Sequence, residues 1–77
     1  MPGLKVLSGQ QARDILEANG FVFVSQKGSH VKLRRIVEID AGIVTFNAIV
    51  PDHKTLKIGT LSSIIRQSGL PRDFFEK

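Results

Sequence analysis

The chain of 77 residues contains no cysteine, no tryptophan and no tyrosine. Without cysteine it can build neither a disulfide framework nor a thiolate metal site, and nothing in it calls for an oxidising compartment. The two histidines, His30 and His53, have no cluster of carboxylates around them, only Asp52 next to His53. They make a poor zinc site, since a catalytic zinc takes three protein ligands. There is no Gly-Lys-Ser/Thr run and no Gly-x-Gly-x-x-Gly run, which removes the two glycine-rich phosphate loops and with them nucleotide hydrolysis. No apolar stretch approaches the roughly 20 residues of a membrane span. The first residues, Met1-Pro2-Gly3-Leu4-Lys5, lack the apolar core of a secretory signal. The expectation is therefore one small domain, residues 1–77, in the cytoplasm, with no membrane association.

What is present points to a small, basic, globular unit. Hydrophobic residues make up 42% of the chain, enough for a core, and the net charge of +4 with a pI near 10.0 favours an anionic partner, nucleic acid first. At this length a single core leaves only a narrow stability margin.

After a lead containing Leu4, Val6 and Leu7, Ser8 stands three residues before Gln11 in the capping-box pattern that opens a helix. Ala12, Ile15 and Leu16 then recur on one helical face, and Asn19-Gly20 supplies the stop. Phe21-Val22-Phe23-Val24 and Val31-Lys32-Leu33-Arg34 read as two strands joined at Lys27-Gly28. With those two residues as the loop, Ser25 pairs with His30, Val24 with Val31, Phe23 with Lys32 and Val22 with Leu33. This register sends Val22, Val24, Val31 and Leu33 under the helices. Phe21, Phe23, Ser25, His30, Lys32 and Arg34 then share the opposite face. Asp40-Ala41-Gly42 signals a second turn into a strand, Ile43 to Val50, ended by Pro51. Ile58, Leu61, Ile64 and Ile65 mark a second helix capped by Gly69, and Pro71 starts a final turn anchored by Phe74 and Phe75. The predicted fold class is α+β, in the order α-β-β-β-α. A three-stranded antiparallel sheet carries both helices on one face.

With so few reactive groups, one reaction suits the inventory: RNA cleavage by the adjacent 2′-hydroxyl, in which the substrate brings its own nucleophile. The protein then supplies a base, an acid and positive charge. An imidazole, with an unperturbed pKa of about 6.5, serves as either acid or base near neutral pH. Cationic side chains stabilise the charge that builds on the phosphate. His30 has Lys32 and Arg34 on its expected face and Lys27 in the adjoining turn. Two other readings of the same residues stand beside this one. The first is a non-catalytic RNA-binding module, in which Phe21 and Phe23 stack bases. The second is a structural protein whose open face meets another chain.

Several segments together resemble the HicA family of bacterial and archaeal toxins: Gly20-Phe21, Gln26-Lys27-Gly28-Ser29-His30, Val50-Pro51-Asp52-His53, Lys57-Ile58-Gly59-Thr60-Leu61, and Ile64 through Gly69-Leu70. The similarity runs from about Leu7 to Phe75. It implies an mRNA interferase of a type II toxin–antitoxin pair, with a fold like that of double-stranded-RNA-binding domains. It also implies a catalytic histidine at His30, a HicB antitoxin that masks it, and no metal or cofactor. On that basis the candidate catalytic residues are His30 and, as a second acid, His53. The candidate RNA-binding residues are Lys27, Ser29, Lys32, Arg34 and Lys54. Three positions depart from the family's pattern. Ile58 replaces a common proline, Val31 follows the histidine where a polar residue is frequent, and the stretch from Ile36 to Ile43 is longer and more apolar than the usual short turn.

Overall fold

A computed structural model describes residues 6–76 of the chain. Leu4 and the N-terminal residues behind the signal-peptide expectation lie outside them. Helix α1 (Gly9–Ala18) starts where its cap dictates: the Ser8 hydroxyl accepts from the Gln11 amide at 3.0 Å, and the Gln11 side chain accepts from the Ser8 amide at 2.9 Å. It stops at Asn19-Gly20, with Gly20 at φ +94°, a conformation glycine adopts without steric cost. Three antiparallel strands follow, β1 (Val22–Lys27), β2 (His30–Ile39) and β3 (Gly42–Pro51), ordered β1-β2-β3. Helix α2 (Ile58–Ser68) ends at Gly69, and a 3-10 turn, Arg72–Phe75, closes the fold. The α-β-β-β-α order is thus the one the turn and periodicity signals predict. Among the described residues no helix is long and apolar enough to cross a membrane.

One face of the sheet is the floor of the core. Val31 and Leu33 of β2 and Ala48 and Val50 of β3 are buried with Leu16 of α1, Leu61 and Ile64 of α2, and Phe75. Each large apolar side chain among them contributes about 1.5–3 kcal/mol by leaving water. The start of α2 has no side-chain cap: its N-cap Lys57 makes no side-chain bond, and Ile58, exposed, stands at the first helical position. At the other end of α2, the Gln67 side chain accepts from the Ile49 amide at 3.0 Å, which covers the outer edge of β3.

The hairpin register differs from the expected one. The turn residues are Gly28 and Ser29, and Lys27 is the last residue of β1, directly opposite His30. Gly28 has φ +59°, and among the described residues only glycines have positive φ, which is the pattern of a two-residue turn with glycine first. A Lys27-Gly28 loop in either of the two turn types that match the twist of a hairpin would have put positive φ on the lysine. The resulting slip of two residues keeps Ser25 on the face of His30, now opposite Lys32. A bulge between Phe23 and Ser25 then shifts the pairing by one residue. As a result Val22 pairs with Arg34 and lies on the open face, whereas Phe23 pairs with Leu33 on the helix side. Phe21 is not on the open face at all but buried in the core. Nor do the helices cover β1: every residue of it is exposed, including Val22, Phe23 and Val24.

The C-cap of α2 is a tight junction with the sheet. A Cβ at Gly69 would sit 2.5 Å from Cε1 of Phe46, at a φ of +69°. Gly69→Ala is therefore expected to destabilise the fold by about 1–3 kcal/mol through overpacking and backbone strain. Denaturant titration with an unchanged midpoint would contradict it.

Candidate active site

His30 opens β2, between Lys27 on β1 and Pro51 on β3. Side chains alternate along a strand, so Lys32 and Arg34 emerge on the same face as His30, away from the helices. Asn47 lies opposite Arg34 and its side-chain oxygen accepts from Arg34 Nε at 2.9 Å. This leaves the outer guanidinium nitrogens of Arg34 directed by a fixed stem. His30 and Lys27 are exposed, and Lys32 and Arg34 are half-buried. An imidazole and three cationic groups therefore share one end of the open face.

The chain after β3 is stapled to this end by three backbone hydrogen bonds. The Asp52 amide donates to the Ser29 carbonyl at 2.6 Å, the Gly9 amide to the His53 carbonyl at 2.8 Å, and the Leu56 amide to the Leu7 carbonyl at 2.7 Å. The Gly28-Ser29 turn, the loop after Pro51 and the start of α1 are thereby drawn together. Gly9 is buried there, and a Cβ on it would run into the Pro51 carbonyl. His53 and Lys54 project from the loop with exposed side chains. Ser29 is in the turn itself, beside His30. The expected site residues thus fall into one group on the open face (Lys27, His30, Lys32, Arg34), one turn residue (Ser29), and two on the neighbouring loop (His53, Lys54).

One feature of this end had no signal in the sequence. Arg13 of α1 reaches Asp52 at 3.4 Å and also donates to the Gln10 side chain at 2.6 Å, adding a cation where the helix meets the loop. A contact over such a separation in the chain is invisible to local patterns. Arg35, next to Arg34, lies on the other face as alternation requires, with its guanidinium 5.9 Å from the Phe46 ring centre. Among the described residues the ion pairs are Arg13–Asp52 and Arg72–Glu76, so no carboxylate is paired with either histidine. No three potential metal ligands stand together among them.

A family model described as "HicA toxin of bacterial toxin-antitoxin" matches residues 9–70, from the first residue of α1 to just beyond the cap of α2. No curated protein matches the chain closely enough to count as a relative.

The staple is made of backbone bonds, with the ion pair secondary: Asp52 is about half exposed and solvent screens its attraction to Arg13. Asp52→Asn is expected to change stability by less than about 1 kcal/mol. Gly9→Ala, which forces α1 and the loop apart, should cost about 1–3 kcal/mol. Thermal unfolding of the two variants side by side tests this, and a larger loss for Asp52→Asn than for Gly9→Ala would reverse the assignment.

Proposed function

The chain belongs to the HicA toxin family and is the toxin of a toxin–antitoxin system; from that premise we propose that it is an endoribonuclease acting on mRNA, with His30 as its general acid or base and no metal or cofactor. The observation that carries this reading is the alternation of His30, Lys32 and Arg34 along one face of β2, with Lys27 directly across from His30.

In the proposed reaction the 2′-oxygen of one nucleotide bonds to the neighbouring phosphorus and the bond from phosphorus to the 5′-oxygen breaks. One proton leaves the 2′-hydroxyl for a base, and one reaches the departing oxygen from an acid. The products are a 2′,3′-cyclic phosphate and a 5′-hydroxyl. His30 carries one of these proton transfers. His53, on the loop bonded to the Ser29 turn, is assigned the other. Lys27, Lys32 and Arg34 bind the phosphate and stabilise the charge that grows on its oxygens. Ser29 and Lys54 extend the RNA-binding surface along the turn and the loop. A HicB-like antitoxin silences the toxin by covering the His30 face, and the cytoplasm is where toxin and mRNA meet.

Purified wild-type protein incubated with RNA in EDTA is expected to leave 2′,3′-cyclic phosphate ends. His30→Ala should reduce the rate by about 10²–10⁴-fold without lowering the melting temperature, since the side chain is exposed. Cleavage at the wild-type rate by His30→Ala would remove it from the chemistry. RNA retained intact in a salt-sensitive complex would instead favour the non-catalytic module. Lys32→Ala and Arg34→Ala should weaken RNA binding and lower the slope of log affinity against log salt, by about 0.7 for each phosphate no longer neutralised.

A further inference from the structure

The open face of the sheet changes character along β2 and β3. Near the Gly28-Ser29 turn it carries His30, Lys27, Lys32 and Arg34. Towards the far end Ile36 lies opposite Thr45, and Ile43 lies opposite Glu38. Ile36 and Ile43 are thus diagonal neighbours on the open face, and they are 63% and 68% exposed. Ile39, on the reverse side at the tip, is 52% exposed because the helices do not reach it. The only charged side chains from residue 36 to residue 45 are Glu38 and Asp40, in a chain whose net charge is +4.

We infer that this end of the β2–β3 hairpin is a docking surface for the antitoxin, separate from the His30 end, and that the antitoxin segment it takes is apolar and flanked by lysine or arginine. The inference rests on the toxin–antitoxin reading but not on the cleavage chemistry. The charge pattern selects the class of partner. RNA phosphates are repelled by Glu38 and Asp40, so the RNA footprint stops at about Arg34. A second copy docked through the same patch by two-fold symmetry would set these carboxylates against their own copies. A basic partner surface neutralises them while it covers the isoleucines. Two exposed isoleucines side by side serve no folding purpose, since neither touches the core, and they offer the apolar centre that a stable interface needs. Attachment at this end adds to the covering of His30 by the same antitoxin and does not replace it.

The test measures binding of the protein encoded beside the toxin gene to wild-type toxin, to the Ile36→Ser/Ile43→Ser double variant, and to the Glu38→Lys/Asp40→Lys double variant. The isoleucine variant should bind at least about 30-fold more weakly, the effect of truncating two central apolar side chains. The charge-reversed variant, whose altered side chains are exposed and cannot disturb the core, should associate more slowly, with the difference shrinking as salt rises. The isoleucine variant, free of antitoxin, should cleave RNA at the wild-type rate. Affinities unchanged in both would overturn the inference. So would a toxin dimer broken by the isoleucine variant while antitoxin affinity stays intact, which would make a second copy the occupant. Lost antitoxin affinity in a preparation whose wild type cleaves no RNA would still support the surface while defeating the nuclease reading.

Discussion

Glycine at position 28 is the constraint from which the arrangement of the sheet follows. A two-residue hairpin loop whose first residue has positive φ accepts almost only glycine there, so the turn closes on Gly28 and Ser29 and on no other pair. That choice sets Lys27 across from His30 and Ser25 across from Lys32. It also leaves the Ser29 carbonyl at the tip, where the amide of Asp52 takes it up. The register of the hairpin and the attachment of the loop after β3 thus depend on the same turn.

The candidate site is rigid on one side and tethered on the other. Lys32 and Arg34 rise from the central strand, bonded to neighbours on both edges, and Asn47 fixes the stem of Arg34. His53 and Lys54 belong to a loop without regular structure, but its ends are held by backbone bonds to Ser29, Gly9 and Leu7. Backbone bonds of this kind demand no particular side chain, only close approach, and the buried Gly9 provides it. Phosphate binding and proton transfer, the two requirements of the proposed chemistry, are served by different layers of this arrangement. The strand supplies charge at fixed spacing and, at its first residue, an exposed imidazole, and the loop supplies a second one.

The same sheet presents surfaces with different chemistry because the helices cover only one of its faces, and only part of that one. They lie over the half of β2 and β3 nearest His30, where Val31, Leu33, Ala48 and Val50 are buried, and leave the hairpin end and all of β1 in water. A chain of this size cannot hide every apolar side chain it carries. At the hairpin end the exposed residues are isoleucines beside carboxylates, while at the other end they are bases beside a histidine. One small domain therefore presents a basic end and an acidic, apolar end on the same open face.

Local chemistry determined the elements. The Ser8–Gln11 box, the glycines at 20 and 69, and the turn around Asp40 and Ala41 each act within a few residues, so their signals were complete in the sequence and the structure contains them as read. The membership of His30, Lys32 and Arg34 in one face was equally legible, because alternation along a strand needs nothing from outside it. The positions of Val22, Phe21 and Phe23 were not legible. A bulge near Val24 is a compromise between the pairing that the turn imposes downstream and the burial of Phe21 upstream, and no residue in between announces it. Tertiary structure also decided which apolar strand stays wet. It alone brought Arg13 to Asp52 and the loop of His53 to the Ser29 turn. Those outcomes depend on where the helices end and what they cover, quantities set by packing across the whole chain rather than by any stretch of it.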